Sequence, residues 1–358
     1  MKSRICCFIQ KRIEWAMVPN IQASIDFVVA RLHGIMANSI KGEALEKLAR
    51  STTEELLLRN LRNFGIDCKK REEFHRFIYD RELERLDKVA RLLPRKEAAF
   101  YNAIQARSYF DNVKTALHWR YSRIEREAGE LFLHTAGNIP HFDVNAMSEA
   151  ADSRAFVRCI PKYKSFDDDA LSAIVAELEA NGDLMMADSK VDQAYFNQLW
   201  SAANDIKSSI GREACRLLGI EIDIFNLTAL MRNALTYHFD APVVSKVWLD
   251  HGELYDRHAL DELSRKGDLP EIRASLRGKY SRVLASVGND LHLVENALWK
   301  YLYKEVHYSF LAIGEPELCI AAYPFLVHFE TLNLGRIYEG IYFGIPSHSI
   351  LDIVLGVS

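Results

Sequence analysis

Glycine and proline are scarce, 17 and 9 in 358 residues, and neither falls where phosphate chemistry would use it. There is no Gly-x-x-x-x-Gly-Lys-Ser/Thr and no Gly-x-Gly-x-x-Gly, the loops whose main-chain N–H groups wrap a phosphate. Nucleotide binding therefore has no visible cradle. The Gly-x-Ser-x-Gly elbow of a serine nucleophile is missing too. Six cysteines (Cys6, Cys7, Cys68, Cys159, Cys215 and Cys319) make no Cys-x-x-Cys, and their scatter reads as reduced thiols rather than a disulfide framework. No apolar run approaches the about 20 residues of a membrane-spanning helix; the best, 319–329, is short and broken by Pro324. A formal net charge of −4 supplies neither a basic stripe for nucleic acid nor a polybasic membrane anchor.

What remains is ordinary globular composition, 49% apolar and 26% charged, with chain enough for two or three domains. At the start, Lys2, Arg4, Lys11 and Arg12 flank Ile5 to Ile9, a run too short for the about 7–15 apolar residues of a signal peptide. Met17 is the expected natural start, with residues 1–24 an N-terminal extension. Ile25, Val28, Val29, Leu32 and Met36 then fall on one helix face. The stretch 43–61, dense in Glu, Leu, Ala and Arg, predicts one helix stopped by Gly65. Phe74, Phe77, Ile78, Leu86, Val89, Ala90 and Leu93 predict another, ended by Pro94. Asp167-Asp168-Asp169 opens a helix striped by Leu171, Ile174, Val175 and Leu178 and closed by Asn181-Gly182. Tyr195, Phe196, Leu199 and Trp200 mark the next, and Leu291, Val294, Leu298, Tyr301 and Leu302 a long late one. Only 241–249 could be extended, and no alternating partner stands near it. The chain reads as all-α.

One pattern occurs three times. Asn112, Asn226 and Asn333 stand 114 and 107 residues apart. Apolar residues follow each at +1, +4 and +5: Val113, Ala116 and Leu117; Leu227, Leu230 and Met231; Leu334, Ile337 and Tyr338. The stripe continues to +8 and +9 in the second copy (Ala234, Leu235) and the third (Ile341, Tyr342), but not in the first. Gly137-Asn-Ile lies 25 residues after Asn112, and Gly252-Glu-Leu 26 after Asn226. Two landmarks with one spacing indicate an internal repeat of domain size. It predicts three helical bundles of similar plan, at 25–125, 126–240 and 241–358.

The candidate chemistry is thin. Asp167 to Asp169 lacks the further carboxylate and the second aspartate cluster of a shared magnesium–diphosphate site, so a solvated helix start is the better reading and an all-α metal-dependent enzyme is disfavoured. His134 with His141 and His251 with His258 are spaced seven apart, wider than zinc pairs. Asp223 and Glu330 each precede their Asn by three residues, one turn away on the same face. Such a pair could be a site, but triplicate Asn residues favour an architectural role, because an unpaired buried polar group costs about 1–3 kcal/mol. No catalytic residue, metal ligand, cofactor or small-molecule substrate is expected.

These residues resemble the C-type subunit of the prokaryotic A/V-type ATPases and ATP synthases, equivalent to the d-type subunit of the eukaryotic vacuolar enzyme. The family's pattern is an acid, two residues, then Asn opening a helix that ends in Arg, matched by Asp223, Asn226 and Arg232. Its last copy, an acid, Asn and Arg followed by Gly-Ile/Leu-Pro, looks like Glu330, Asn333, Arg336 and Gly344-Ile345-Pro346. Phe27, Ala30-Arg31 and Asn112-Val-Lys114-Thr115 are similar to the family's opening helix and first copy. Departures are Tyr109 in the first acid's place, His118 in its Arg's place and His33 for a basic residue. The family's paired loop glycines are here Ala136-Gly137 and His251-Gly252.

The resemblance implies a funnel of three similar helical domains about a pseudo-threefold axis. It implies a non-catalytic central-rotor part of a proton- or sodium-translocating ATPase or synthase, at the cytoplasmic face of a membrane. Its partners would be the central-shaft subunits (D and F type) and the membrane proteolipid ring. A free-standing helical scaffold is the alternative. If the repeats share an axis, the loops 135–142, 251–258 and 343–348 lie at one height around it, and Glu253, Asp256 and Arg257 become candidate partner contacts.

Overall fold

The computed structural model describes residues 24–122, 133–135, 139–164 and 166–357. The expected N-terminal extension, the Met17 start and the Gly137 landmark lie outside them. Among the described residues every regular element is a helix or a helical turn, with one isolated bridge between Tyr163 and Phe166.

The first helix, α1 (Ile25–Ala37), buries Val28, Leu32 and Met36 and is capped by the Ser24 hydroxyl, which accepts from the Phe27 N–H. The single helix expected over 43–61 is two, α2 (Glu43–Ala49) and α3 (Glu54–Leu61). Ser51, Thr52 and Thr53 break it because their hydroxyls compete for main-chain groups. Thr53 caps α3 by accepting from the Leu56 N–H, and Ser51 accepts from Asn60. Gly65, at φ 75°, closes the short turn that follows. Helix α4 (Arg71–Ala90) stops before Leu93, and Pro94 caps α5 (Arg95–Gln105) instead of merely ending its predecessor. Ala106 alone separates α5 from α6 (Arg107–Tyr121).

Two short helices, α7 (Val144–Glu149) and α8 (Ser153–Cys159), lead to α9 (Asp168–Asn181). There the Asp167 carboxylate accepts from the Asp169 and Ala170 N–H groups, and Gly182 at φ 68° ends the helix. The long pair α10 (Leu184–Asn204) and α11 (Ser209–Arg232) follows. The stretch that could have been extended is α12 (Ala241–Val244) and a 3₁₀ turn, because Pro242 sits in a first helical turn where its missing N–H costs nothing. Then come α13 (Arg257–Ser264), α14 (Leu269–Ser275), α15 (Gly278–Leu284), the long pair α16 (Leu291–Phe310) and α17 (Leu318–Tyr342), and α18 (Ser347–Ile353). Pro324 lies inside α17 and frees the Ile320 carbonyl, which accepts the Tyr101 hydroxyl at 2.8 Å.

The long helices pack in a closed circuit: α4 on α5, α5 and α6 on α10, α10 on α11, α11 on α16 and α17, α16 on α17, and α17 back on α4. One apolar core follows that circuit and holds residues from Val28 to Leu355. A smaller core joins α2, α3 and the start of α4 to the second half of α17 and α18, through Leu45, Leu57, Phe74, Tyr338 and Ile350. Early and late chain thus share one interior.

The turn from α10 to α11 needs Gly211, because a Cβ there would stand 1.9 Å from the Ile206 carbonyl oxygen. Gly211→Ala should cost at least the about 1–3 kcal/mol of overpacking, read from the urea midpoint. An unchanged midpoint would rule that close crossing out.

Candidate functional site

The three repeated asparagines have one job in common. The Asn112 amide donates to the His134 carbonyl at 2.9 Å and accepts from the His134 N–H at 2.8 Å. Asn226 brackets Leu249 the same way, both bonds at 2.9 Å. Asn333 brackets Leu355, both at 2.8 Å. The bracketed residue lies 22 or 23 positions downstream each time. Each side chain is almost fully buried, so the amide supplies both bonds that the passing main chain cannot get from water.

The residues three before each Asn diverge. Asp223 accepts from the Leu254 N–H (2.8 Å), the Tyr255 N–H (3.2 Å) and the Tyr280 hydroxyl (2.9 Å). It thereby fixes the loop between α12 and α13. Gly252 is required there, since a Cβ would lie 2.2 Å from Asp223 Oδ1. Tyr109, in the first copy, donates to the Pro161 carbonyl and stacks on Tyr163, replacing a carboxylate–tyrosine contact by a tyrosine pair. Glu330, in the third, reaches back to Arg85 (2.7 Å) and Arg81 (3.3 Å) on α4. Arg232 pairs with Glu295, and Arg336 donates to the Ile353 carbonyl.

Glu253, Asp256 and Arg257 also have partners inside the chain. Glu253 pairs with Lys279, Asp256 caps α13 and Arg257 forks onto Asp250. His251 stacks on Trp200, and among the described residues no three His, Cys, Asp or Glu side chains gather as metal ligands.

Motif spacing did not single out the residues five before each Asn. Arg107, Glu221 and His328 come from α6, α11 and α17, and they meet. Arg107 donates to Glu221 Oε1 at 2.6 Å and lies 3.0 Å from His328 Nε2, whose Nδ1 is 3.0 Å from Glu82 on α4. Its Nε reaches the Tyr195 hydroxyl on α10 at 3.2 Å. Burial opposes the Arg107 charge, but Tyr195 and Glu221 outweigh it and hold the guanidinium well above its ordinary pKa. Burial likewise opposes ionisation of Glu82, yet His328 holds it below the carboxylate range. The shared offset from three asparagines, carrying Arg, Glu and His, was the available signal.

Arg107, Glu82 and His328 are among the residues lining a cavity of about 530 Å³. All three repeated helices contribute to it, each through the residue just before its Asn: Asp111, Phe225 and Leu332. A family model described as the ATP synthase (C/AC39) subunit matches residues 28–353. The chain belongs to that family. No individual curated protein shows a significant match. Family membership makes the chain a subunit of a rotary ATPase complex, and no helix among the described residues is long and apolar enough to cross a membrane.

Two outcomes are expected of this family fold. Asn226→Leu or Asn333→Leu should each strand one N–H and one C=O, at about 1–3 kcal/mol per group, and unchanged chemical-denaturation midpoints would refute the bracket. Asp223 adds a pH signature. Burial pushes its carboxyl up to about 6 from 3.8, against the pull of its three donors. The fold therefore holds this proton more tightly than the unfolded chain does. Its contribution is full below about pH 4 and is lost as pH rises through about 6, on the order of 3 kcal/mol in all. The stability difference between wild type and Asp223→Asn should narrow or reverse across pH 4–7 by that order, and parallel curves would contradict the burial account.

Proposed function

We propose that the chain is the non-catalytic central-rotor subunit of a V/A-type proton- or sodium-translocating ATPase or synthase, coupling the central shaft to the membrane proteolipid ring. One observation supports it most. Residues at one repeat position, Arg107, Glu221 and His328, gather around a single arginine. Equivalent points can touch only near the axis that relates them, so a pseudo-threefold axis is proposed to run through Arg107, between α6, α11 and α17. The cavity beside it is then an axial socket, and the polar cluster its closed end.

In this reading the three units expected at 25–125, 126–240 and 241–358 are each built on one asparagine helix and share walls through the helical circuit. The shaft subunits of D and F type enter the socket, the opposite end faces the ring, and the subunit works peripherally at the cytoplasmic face. Closed helical packing supplies the stiffness that torque transfer needs. Glu253, Asp256 and Arg257 stay candidate partner contacts beside their internal pairs, and the cavity wall is a second contact surface. Substituting those three tests the loop as well as the docking.

Native mass spectrometry of the complex isolated through this chain should find one copy with shaft subunits and proteolipids. Isothermal titration calorimetry of the purified chain with ATP should show no heat of binding. Isolation free of shaft and ring would leave a stand-alone scaffold, and one-to-one ATP binding would overturn the non-catalytic reading.

A further inference from the structure

The cavity is not lined alike on all sides. Towards α6 and α10 it presents Asp111, Asp188 and Asp192, paired with Lys114 and His118, while Arg107 of α6 is taken up by Glu221. Lys114 is shared between Asp111 (3.1 Å) and Asp192 (2.8 Å), and His118 meets Asp188 at 2.8 Å. The other oxygen of Asp188 is buried without a hydrogen-bond partner. So are Thr228 Oγ1 and the Nε2 of Gln105, a side chain only 6% exposed that also lines the cavity. Buried polar atoms left single are rare in folded chains, and the three residues that carry these all line this cavity.

The side formed by α11 and the turn after it is aromatic. Phe225, Tyr237 and Phe239 line it and are 38%, 49% and 40% exposed. They are held rather than loose. Tyr237 and Phe239 stack with rings 7° from parallel. The Asn233 amide brackets Phe239 with two main-chain bonds, at 3.0 and 2.9 Å, as the repeated asparagines bracket theirs. His238 between the rings takes φ 55°, so the turn is sharp and fixed. Among the described residues, neither of the other asparagine helices sends such an aromatic pair into the cavity. Exposed, prepositioned aromatic rings beside an acid wall are what a partner's anchor uses.

We infer that this cavity takes a helical end with Lys or Arg on one flank and a bulky apolar residue on the other, and that the acid and aromatic walls fix its rotational register. The inference rests on the central-rotor reading, which supplies the shaft as the occupant. A threefold lining would accept three registers equally. With the charge on one side and the rings on another, two of the three would set a cation against aromatic edges and strand the partner's apolar residue among carboxylates. One register is left. Drive without slipping follows from that.

The test measures binding of the full chain to the purified shaft subunits of the same complex, over a range of salt concentration. Asp188→Lys with Asp192→Lys should weaken binding by about tenfold or more, since like charge now meets the basic flank. The neutral pair Asp188→Asn with Asp192→Asn keeps the shape and should flatten the salt dependence of the wild type. Tyr237→Ser with Phe239→Ser, both exposed, should weaken binding without changing that dependence. A Tyr237→Cys thiol, at a cavity position that is 49% exposed, should lose reactivity when the shaft is bound. Wild-type affinity and salt slope in the charge variants would overturn the inference. A thiol that stays reactive in a formed complex would overturn it too, while leaving the rotor reading intact. Failure of the wild type to bind the shaft at all would remove the rotor reading, and this inference with it.

Discussion

A carboxamide that hydrogen-bonds both main-chain groups of one passing residue is the constraint on which this fold depends. It appears at Asn112, Asn226 and Asn333, each time inside a long helix and each time gripping a segment 22 or 23 residues on. Helices satisfy their own main chain, but the segments that return across them do not, and a buried irregular segment without partners is costly. The amide is short, carries one donor and one acceptor in a plane, and matches the spacing of an N–H and a C=O on one residue. Asp would offer no donor, and Gln would place the pair one carbon further out. One residue type at one helical phase therefore lets three different return segments dock on three helices.

Around those brackets the repeats have drifted in instructive ways. The second copy holds its loop with Asp223, the first with a tyrosine pair, and the third with Glu330 turned onto Arg81 and Arg85 of α4. That last change ties the third copy to an early helix. The same drift turned the meeting point of the copies into complementary chemistry. Three identical charged residues in contact would repel one another, whereas Glu221 attracts Arg107 and a neutral His328 ring nitrogen can accept from it. Loss of identity at Arg107, Glu221 and His328 is what lets them touch.

Much of this was legible in the sequence where the signal is local. The faces of α1, α9 and α16, the Asp167 cap and the Gly65 and Gly182 stops follow from periodicity and cap chemistry, and the all-α class follows with them. Local signal misleads where two rules compete. Helix formers on both sides of Ser51 to Thr53 concealed a break that the hydroxyls impose, and β-branched residues at 243–247 suggested extension where Pro242 starts a helical turn. The candidate site was half legible. Repetition exposed the asparagines, but nothing in a linear chain says that Arg107 lies against Glu221 and His328, because those contacts span 114 and 221 residues. Comparing copies position by position, rather than searching for motifs, is the reading that would have found them.

In the proposed rotor the shaft ends against this polar cluster, on the axis, among three asparagine helices. A single-particle reconstruction of the intact complex isolated through this chain tests that claim most directly. The account predicts helical density entering the cavity between α6, α11 and α17 and stopping short of Arg107. A cavity that stays empty while the shaft docks on the outer surface would contradict it.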